Sequence, residues 1–165
     1  SNSPKINYSK KGFSDELFFY SSDILFQNDI RNQELVFSTY KDITVFFLCT
    51  NSSLPFDPFA SCFYMLTRYE EYLPYIKDRM GRFSAKEGIA HKNNFLTIPV
   101  VDYWVLFIKE KLIQRFPLLI FKKHKFNFIN TIDIDNAFAY LGKGFDRTFV
   151  SLVRDLLQFN FKKIK

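Results

Sequence analysis

Apolar residues in the first third of the chain come in short runs that polar residues interrupt, a pattern typical of strands. Residues 16–27 predict one or two short strands with a polar break at residues 21–23. Residues 35–39 and 43–49 flank a polar turn at residues 40–42, so they predict a hairpin. The second strand of that hairpin is almost wholly apolar, and we therefore expect it to be central and buried.

A long helix is predicted for residues 57–73. Asp57 is a good N-cap residue and Pro58 a good first helical residue, while Pro74 would end the helix. The first two turns are apolar on nearly all sides, so we expect this helix to be central. The residues predicted to line its buried face are Phe59, Cys62, Phe63, Leu66, Tyr69 and Leu73, with Ala60, Tyr64 and Met65 beside them.

A second helix is predicted for residues 101–116. Apolar residues recur there at helical spacing, polar residues fall mostly off that stripe, and Pro117 ends the pattern. The residues predicted to form the stripe are Val101, Trp104, Val105, Ile108 and Leu112.

Three shorter segments lie between these helices. Gly81 supplies the backbone freedom for a turn at residues 78–83. The polar residues 84–94 predict a loop or a short irregular helix. Residues 95–99 can form a short edge strand, because Pro99 has no N–H to donate to a neighbouring strand.

Near the C-terminal end a strand, an acidic turn and a helix are predicted to follow one another. Residues 126–134 predict a buried strand, and Asp146 caps the following helix. Side chains two apart on a strand point the same way, so Asp133 and Asp135 would project together, roughly 6.5–7 Å apart. Such a pair suits a divalent metal, or one metal ligand plus a general base. The alternative is a pair of solvated aspartates that start a loop and cap the next turn.

Together these elements predict an α+β fold with a mixed, mostly N-terminal sheet and two main helices, followed by the first βα unit of an α/β domain. A lone βα unit cannot bury its own faces, so we expect that unit to be the truncated start of a second domain. We place the two domains at residues 1–122 and 123–165.

Composition and charge exclude several classes of protein. The net charge of +6 comes from scattered Lys and Arg, without the basic stripe and exposed aromatics of a nucleic-acid binder, so no nucleic-acid partner is expected. No stretch approaches ~18 uninterrupted apolar residues, so no transmembrane segment is expected. Cys49 and Cys62 favour two reduced thiols over a disulfide. His91 and His124 are single and flanked by polar residues, which favours surface positions.

Four stretches resemble a known family: residues 56–72 (FDPFASCFYMLTRYEEY), 78–83 (DRMGRF), 96–104 (LTIPVVDYW) and 131–137 (TIDIDNA). They cover most of residues 54–140, and the long helix and the order of the stretches are the most specific parts. On these stretches the chain resembles bacterial polysaccharide deacetylase-like proteins of the type found in Bacteroidetes. In these proteins a domain of unknown function precedes a NodB-homology (carbohydrate esterase family 4-like) catalytic domain.

The resemblance implies that residues 131–135 form the first motif of a NodB-like α/β barrel. Carried over, Asp133 would be the general base, and Asp135 would be a ligand of a divalent metal, with zinc expected in the full-length protein. Ile134 separates the two, whereas the family has adjacent aspartates, so the roles are exchangeable. The implied reaction is attack of water on an acetyl carbonyl of a polysaccharide or acetylated sugar.

The resemblance also implies ligands that this chain lacks. The family's metal site needs a His-x3-His pair, and neither His91 nor His124 belongs to one. Catalytic zinc normally keeps three protein ligands. We therefore expect these 165 residues to hold no catalytic metal and to be inactive, with the accessory domain as their complete part.

Two other functions stay open. A binding or scaffold module would position a glycan or a partner without catalysis. Its polar cluster would be Arg68, Glu70, Glu71, Asp78 and Arg82. An open aromatic-lined groove beside this cluster would favour the module, and charges that only pair with one another would disfavour it.

A Mg²⁺-dependent transferase or phosphatase could use Asp133 and Asp135. A haloacid-dehalogenase-type site, however, has Thr or Val soon after the second Asp, where this chain has Asn136 and Ala137.

Overall fold

The computed structural model describes residues 4–13, 16–123, 125–132 and 144–157. Contacts divide the chain into two compact units, Ser1–Phe121 and Lys122–Lys165. The first unit combines short strands with helices, so the predicted α+β class is confirmed at this level. No barrel is formed by the strands of the described residues, which make two small sheets.

Within the described residues, four short strands form two separate pairs. β1 (Ile6–Ser9) runs parallel to β2 (Leu17–Tyr20), and β3 (Ser38–Tyr40) runs antiparallel to β4 (Ile43–Val45). The predicted hairpin is therefore confirmed, whereas the single mixed sheet is wrong. Of the one or two strands predicted within residues 16–27, one forms, β2, because Asp23–Phe26 is a 3-10 turn.

The first helix, α1 (Pro58–Leu66), begins where predicted but ends well before Pro74. Arg68 adopts a left-handed backbone conformation with φ of 54°, which an α-helix cannot continue through. After this break, Tyr69–Tyr72 forms a 3-10 turn. The buried face of α1 also differs from the predicted one, since Tyr64 is buried and Leu66 is 70 % exposed.

The segments between the two long helices are short turns. A 3-10 turn at Ala85–Glu87 leads into the single-turn helix α2 (Ile89–Lys92), as expected for a short irregular helix. The predicted edge strand at residues 95–99 is wrong, because these residues form a turn and Pro99 is the N-cap residue of the next helix.

The second long helix, α3 (Val100–Arg115), matches the predicted range. Trp104 is fully buried and its indole Nε1–H donates to the Thr44 carbonyl at 3.0 Å, which joins α3 to β4. The Trp104 ring also packs against Phe46, with centroids 5.4 Å apart. Val105 is exposed instead of buried, because the helix packs on the face that carries Trp104 and Phe107.

In the second unit the predicted strand is wrong over the part that is described. Residues 125–132 have no regular secondary structure, and Phe126 is 92 % exposed. Apolar residues form a stable strand only when a neighbouring strand and a packed face receive them, and none does so within the described residues. The predicted helix is confirmed as α4 (Phe145–Leu157), with Asp146 in its first turn.

The Asp57 side chain joins three segments of the first unit. It is fully buried, with 0 % exposure. Its Oδ1 accepts from the backbone N–H groups of Phe59 and Ala60 at 3.0 Å, which caps α1. Its Oδ2 accepts from the Tyr8 hydroxyl at 2.8 Å and the Ser22 N–H at 2.6 Å. The carboxylate therefore ties β1 and the turn after β2 to the start of α1.

Tyr8 remains a donor in this arrangement. Burial, the hydrogen bond to Asp57 and the charge of Asp57 together raise the pKa of Tyr8 well above its usual value. Its hydroxyl therefore keeps its proton at neutral pH, and the aromatic ring packs edge-on against Phe59 at 4.9 Å.

We expect Asp57→Ala to destabilise the first unit strongly. The change removes the cap of α1 and leaves buried donors without an acceptor, effects that together cost about 3–5 kcal/mol. Urea unfolding followed by circular dichroism measures the loss. Asp23→Ala is the matched control because Asp23 is exposed, and it should cost no more than about 0.5 kcal/mol. Equal losses in the two variants would contradict the role given to Asp57.

Candidate functional site

The two aspartates predicted as catalytic residues, Asp133 and Asp135, lie outside the described residues. The structure therefore leaves the predicted general base and metal ligand as predictions. His91 is exposed, as expected, and His124 also lies outside the described residues. Within the described residues, no group of three or more His, Cys, Asp or Glu side chains could hold a metal ion.

Four members of the predicted polar cluster pair with one another. Arg68 forms an ion pair with Glu71, and Arg82 lies 3.3 Å from Asp78. The Asp78 carboxylate also accepts the backbone N–H groups of Met80 and Arg82 at 2.8 Å, which closes the predicted turn. The hydrogen bond from the Arg82 backbone is the main reason why the pKa of Asp78 is lowered. These four charges therefore pair with one another, which disfavours a ligand-binding role for them.

Glu70, the fifth member of the cluster, is placed differently. Its side chain is half-buried, and its Oε2 accepts the backbone N–H of Ile89 at 2.9 Å. Burial raises the pKa of Glu70 and the charge of Glu71 adds to this effect, while the Ile89 hydrogen bond and the charge of Lys92 oppose it. The net pKa lies above the usual value for a glutamate.

Glu70 stands between two adjoining cavities, which together we call the Glu70 groove. Their volumes are about 280 and 410 Å³, and both are lined by Tyr64, Glu70 and Phe83. Tyr75 extends the aromatic wall on one side and packs edge-on against Phe83, with centroids 5.1 Å apart. The groove lies beside the predicted polar cluster, which is the feature expected of a binding module.

Tyr64 presents a hydroxyl group to this groove. The residue is only 4 % exposed, and no hydrogen bond to its hydroxyl is formed within the described part of the chain. No polar side-chain atom there is both fully buried and without a hydrogen-bond partner, so the hydroxyl must be accessible to solvent, and Tyr64 lines both cavities. Burial and the charge of Glu70 raise the pKa of Tyr64 to about 12, so it is neutral at pH 7.

Gly88 keeps the space around the Glu70 carboxylate open. Its φ of −68° suits any residue, so backbone conformation does not require glycine here. A Cβ at this position would lie 3.1 Å from Glu70 Oε1 and 3.3 Å from the Ala85 carbonyl oxygen. A side chain at residue 88 would therefore crowd Glu70 Oε1, the carboxylate oxygen that does not accept from Ile89.

The two cysteines are free, half-buried thiols, as the sequence predicts for reduced cysteines. Burial raises the pKa of Cys62 to about 11 and also raises that of Cys49. A protonated thiol is a poor nucleophile, so neither residue is suited to covalent catalysis. None of the described helices has the length and apolar character that a membrane span requires.

The sequence identified only part of this groove. It placed Glu70 in a polar cluster, but it assigned Tyr64 to the flank of a helix and Phe83 to a turn. These residues meet because the chain reverses at Arg68 and again at Gly81, where φ is +78°. Gly81 predicts its turn from the sequence, because glycine readily adopts positive φ. Arg68 does not predict the end of α1, because arginine has no preference for the left-handed backbone conformation.

The raised pKa of Glu70 predicts a pH-dependent difference in stability. Folding favours the protonated carboxyl group, so the wild type loses stability as the pH rises through the Glu70 pKa. Glu70→Gln stays neutral and keeps an acceptor for the Ile89 N–H. The difference in melting temperature, Glu70→Gln minus the wild type, should therefore be larger at pH 7 than at pH 4. A difference that is constant between these pH values would contradict this account.

Comparison with known proteins gives one match. No curated protein and no solved structure matches the chain. The model of a family of unknown function, DUF7033, matches residues 1–117, which include every residue that lines the Glu70 groove. The chain belongs to the DUF7033 family.

Proposed function

We propose that the chain comprises the accessory domain and the beginning of the catalytic domain of a metal-dependent carbohydrate deacetylase, and that the accessory domain binds a glycan in the Glu70 groove. The deacetylase part is supported by the resemblance of residues 54–140 to deacetylase-like proteins. The glycan-binding part is supported by one observation: a groove with aromatic walls surrounds a half-buried carboxylate with one oxygen open to a ligand.

The groove has the chemistry that a sugar ring requires. A pyranose has an apolar face of C–H groups and a rim of hydroxyl groups. The rings of Phe83 and Tyr75, inclined at 71° to each other, offer apolar surface, and Glu70 and Tyr64 offer an acceptor and a hydroxyl. Ligand sites of this kind combine mostly apolar walls with a few placed polar groups. Each volume is also near that of ligand pockets, roughly 300–1,000 Å³.

In the proposed catalytic domain, Asp133 would accept the proton of the attacking water and Asp135 would hold the metal. The roles of the two carboxylates are exchangeable, because Ile134 separates them where the resembling family has adjacent aspartates. A bound zinc ion would polarise the acetyl carbonyl and acidify the water. The 165-residue chain alone is expected to be inactive, since it has no His-x3-His pair.

A second candidate is a scaffold module that binds a protein partner in the same groove. The groove supports this candidate through its apolar wall, which includes Met65 and Leu96. A glycan is favoured because the open polar atoms, Glu70 Oε1 and the Tyr64 hydroxyl, lie among aromatic rings and suit the many hydroxyl groups of a sugar.

The glycan-binding role predicts that the 165-residue chain binds one or more soluble oligosaccharides from a panel of acetylated, partly deacetylated and deacetylated members. Phe83→Ala should weaken binding about tenfold, or ~1.4 kcal/mol, because it removes the aromatic surface. Isothermal titration calorimetry measures the affinity. The control is Tyr72→Ala, since Tyr72 is 66 % exposed and outside both cavities. Failure of every oligosaccharide to bind, or unchanged binding by folded Phe83→Ala, would refute the role.

The catalytic assignment predicts that Asp133→Asn and Asp135→Asn each abolish metal-dependent deacetylation. The test uses a protein that carries the complete deacetylase domain, with acetate release as the readout. Zinc titration separates the two roles, because loss of the metal ligand weakens zinc binding whereas loss of the general base does not. Melting curves establish that both variants fold. Wild-type rates in either variant would reject the assignment.

A further inference from the structure

The Glu70 groove has one negative charge that no ion pair compensates. Arg68 pairs with Glu71, and Lys92 lies 3.3 Å from Glu87. Within the described residues Glu70 forms no ion pair, although the charge of Lys92 lowers its pKa from a distance. A ligand that fills the groove therefore meets a local excess of negative charge next to its aromatic wall.

Two polar atoms in the groove are available to a ligand. The hydrogen bond from Ile89 goes to Glu70 Oε2, and Glu70 Oε1 has no donor within the described residues. The hydroxyl of the buried Tyr64 is the second available atom. Gly88 leaves the approach to Oε1 free of a side chain. A partly buried acceptor without a donor loses free energy that a ligand with a matching donor would restore.

We propose that the Glu70 groove binds a sugar unit that carries a free primary amine, with its ammonium group on Glu70 Oε1 and beside the Tyr64 hydroxyl. This inference rests on the glycan-binding role proposed above and adds the chemical identity of the bound unit. The ammonium group supplies both the missing donor and the missing positive charge. Hydrogen bonds between charged partners are roughly twice as strong as neutral ones.

An acetylated amine fits the same position less well. Its nitrogen is neutral and has one N–H, and its carbonyl oxygen brings another acceptor next to the Glu70 carboxylate. The groove therefore prefers a deacetylated 2-amino sugar over its N-acetylated form. In a deacetylase this preference means that the accessory domain retains the product of the reaction. It would hold the polysaccharide at units that are already deacetylated, while the catalytic domain acts on other units of the same polysaccharide.

The pH dependence of binding follows from the groups that face Glu70. The other charged side chains that line the groove form the ion pairs Arg68–Glu71 and Lys92–Glu87. The pKa of Tyr64 is raised to about 12, so Glu70 and the ligand amine determine the pH profile. Binding should fall as the pH drops through the raised pKa of Glu70. It should also fall above about pH 8, where an amine of this type loses its proton.

The experiment compares two probes on the 165-residue chain by isothermal titration calorimetry at pH 6.5. One probe is a β-1,4-linked glucosamine tetramer, and the other is the matching N-acetylglucosamine tetramer. We expect the glucosamine tetramer to bind at least tenfold more tightly. Glu70→Gln should remove that preference. Glu110→Gln is the matched control, because it makes the same change on α3, outside both cavities.

The other outcomes overturn the proposal in distinguishable ways. Equal or tighter binding of the acetylated tetramer would overturn the amine preference and leave the glycan-binding role intact. Retained preference in folded Glu70→Gln would show that Glu70 is not the recognising group. A tetralysine peptide that binds as tightly as the glucosamine tetramer would show that the groove takes amines without recognising the sugar. Absence of binding to both tetramers and to the wider oligosaccharide panel would overturn both proposals.

Discussion

A buried carboxylate is stable only where donors surround it, and Asp57 imposes that condition on three segments of the first unit. Its oxygens fix the first turn of α1, the Tyr8 hydroxyl and the Ser22 backbone at once. These polar contacts also position apolar side chains. The backbone N–H of Phe59 donates to Asp57, and the ring of Phe59 packs on the ring of Tyr8. The direction of α1, and hence the side that buries Tyr64, depends on this one side chain.

The groove exists because α1 ends early. The left-handed residue Arg68 turns the chain, and Tyr69 then enters the core, where its hydroxyl accepts from the Arg31 N–H at 2.9 Å and lies 3.1 Å from the Arg31 carbonyl oxygen. Glu70 is thereby directed toward Ile89 instead of continuing along a helix surface. A straight helix to residue 73 would have placed Glu70 on a solvated face. One strained backbone position thus converts a surface charge into a groove residue.

Local signals allowed correct predictions, and long-range contacts explain the errors. Asp57 and Pro58 identified the start of α1, and the periodic stripe around Trp104 identified α3, because caps and helical spacing are written in adjacent residues. The end of α1 depends on Tyr69 reaching Arg31, a contact between distant parts of the sequence. The groove likewise needs Gly88 and Ile89 beside Glu70. The apolar residues among 126–132 match the pattern of a buried strand. A strand also needs a neighbouring strand to pair with, and the local sequence does not show whether one is present.

The contrast between Asp57 and Glu70 bears on function. Both oxygens of Asp57 are used by the fold, so its charge has a structural reason. The fold uses only one oxygen of Glu70, as the acceptor of the Ile89 N–H, and a glutamine would serve that purpose equally well. The second oxygen and the charge are unfavourable in a half-buried position, which is why the pKa of Glu70 is raised. The Ile89 hydrogen bond and the charge of Lys92 offset only part of that cost, because the pKa of Glu70 stays raised. A ligand with a positively charged donor is therefore the natural counterpart of this carboxylate.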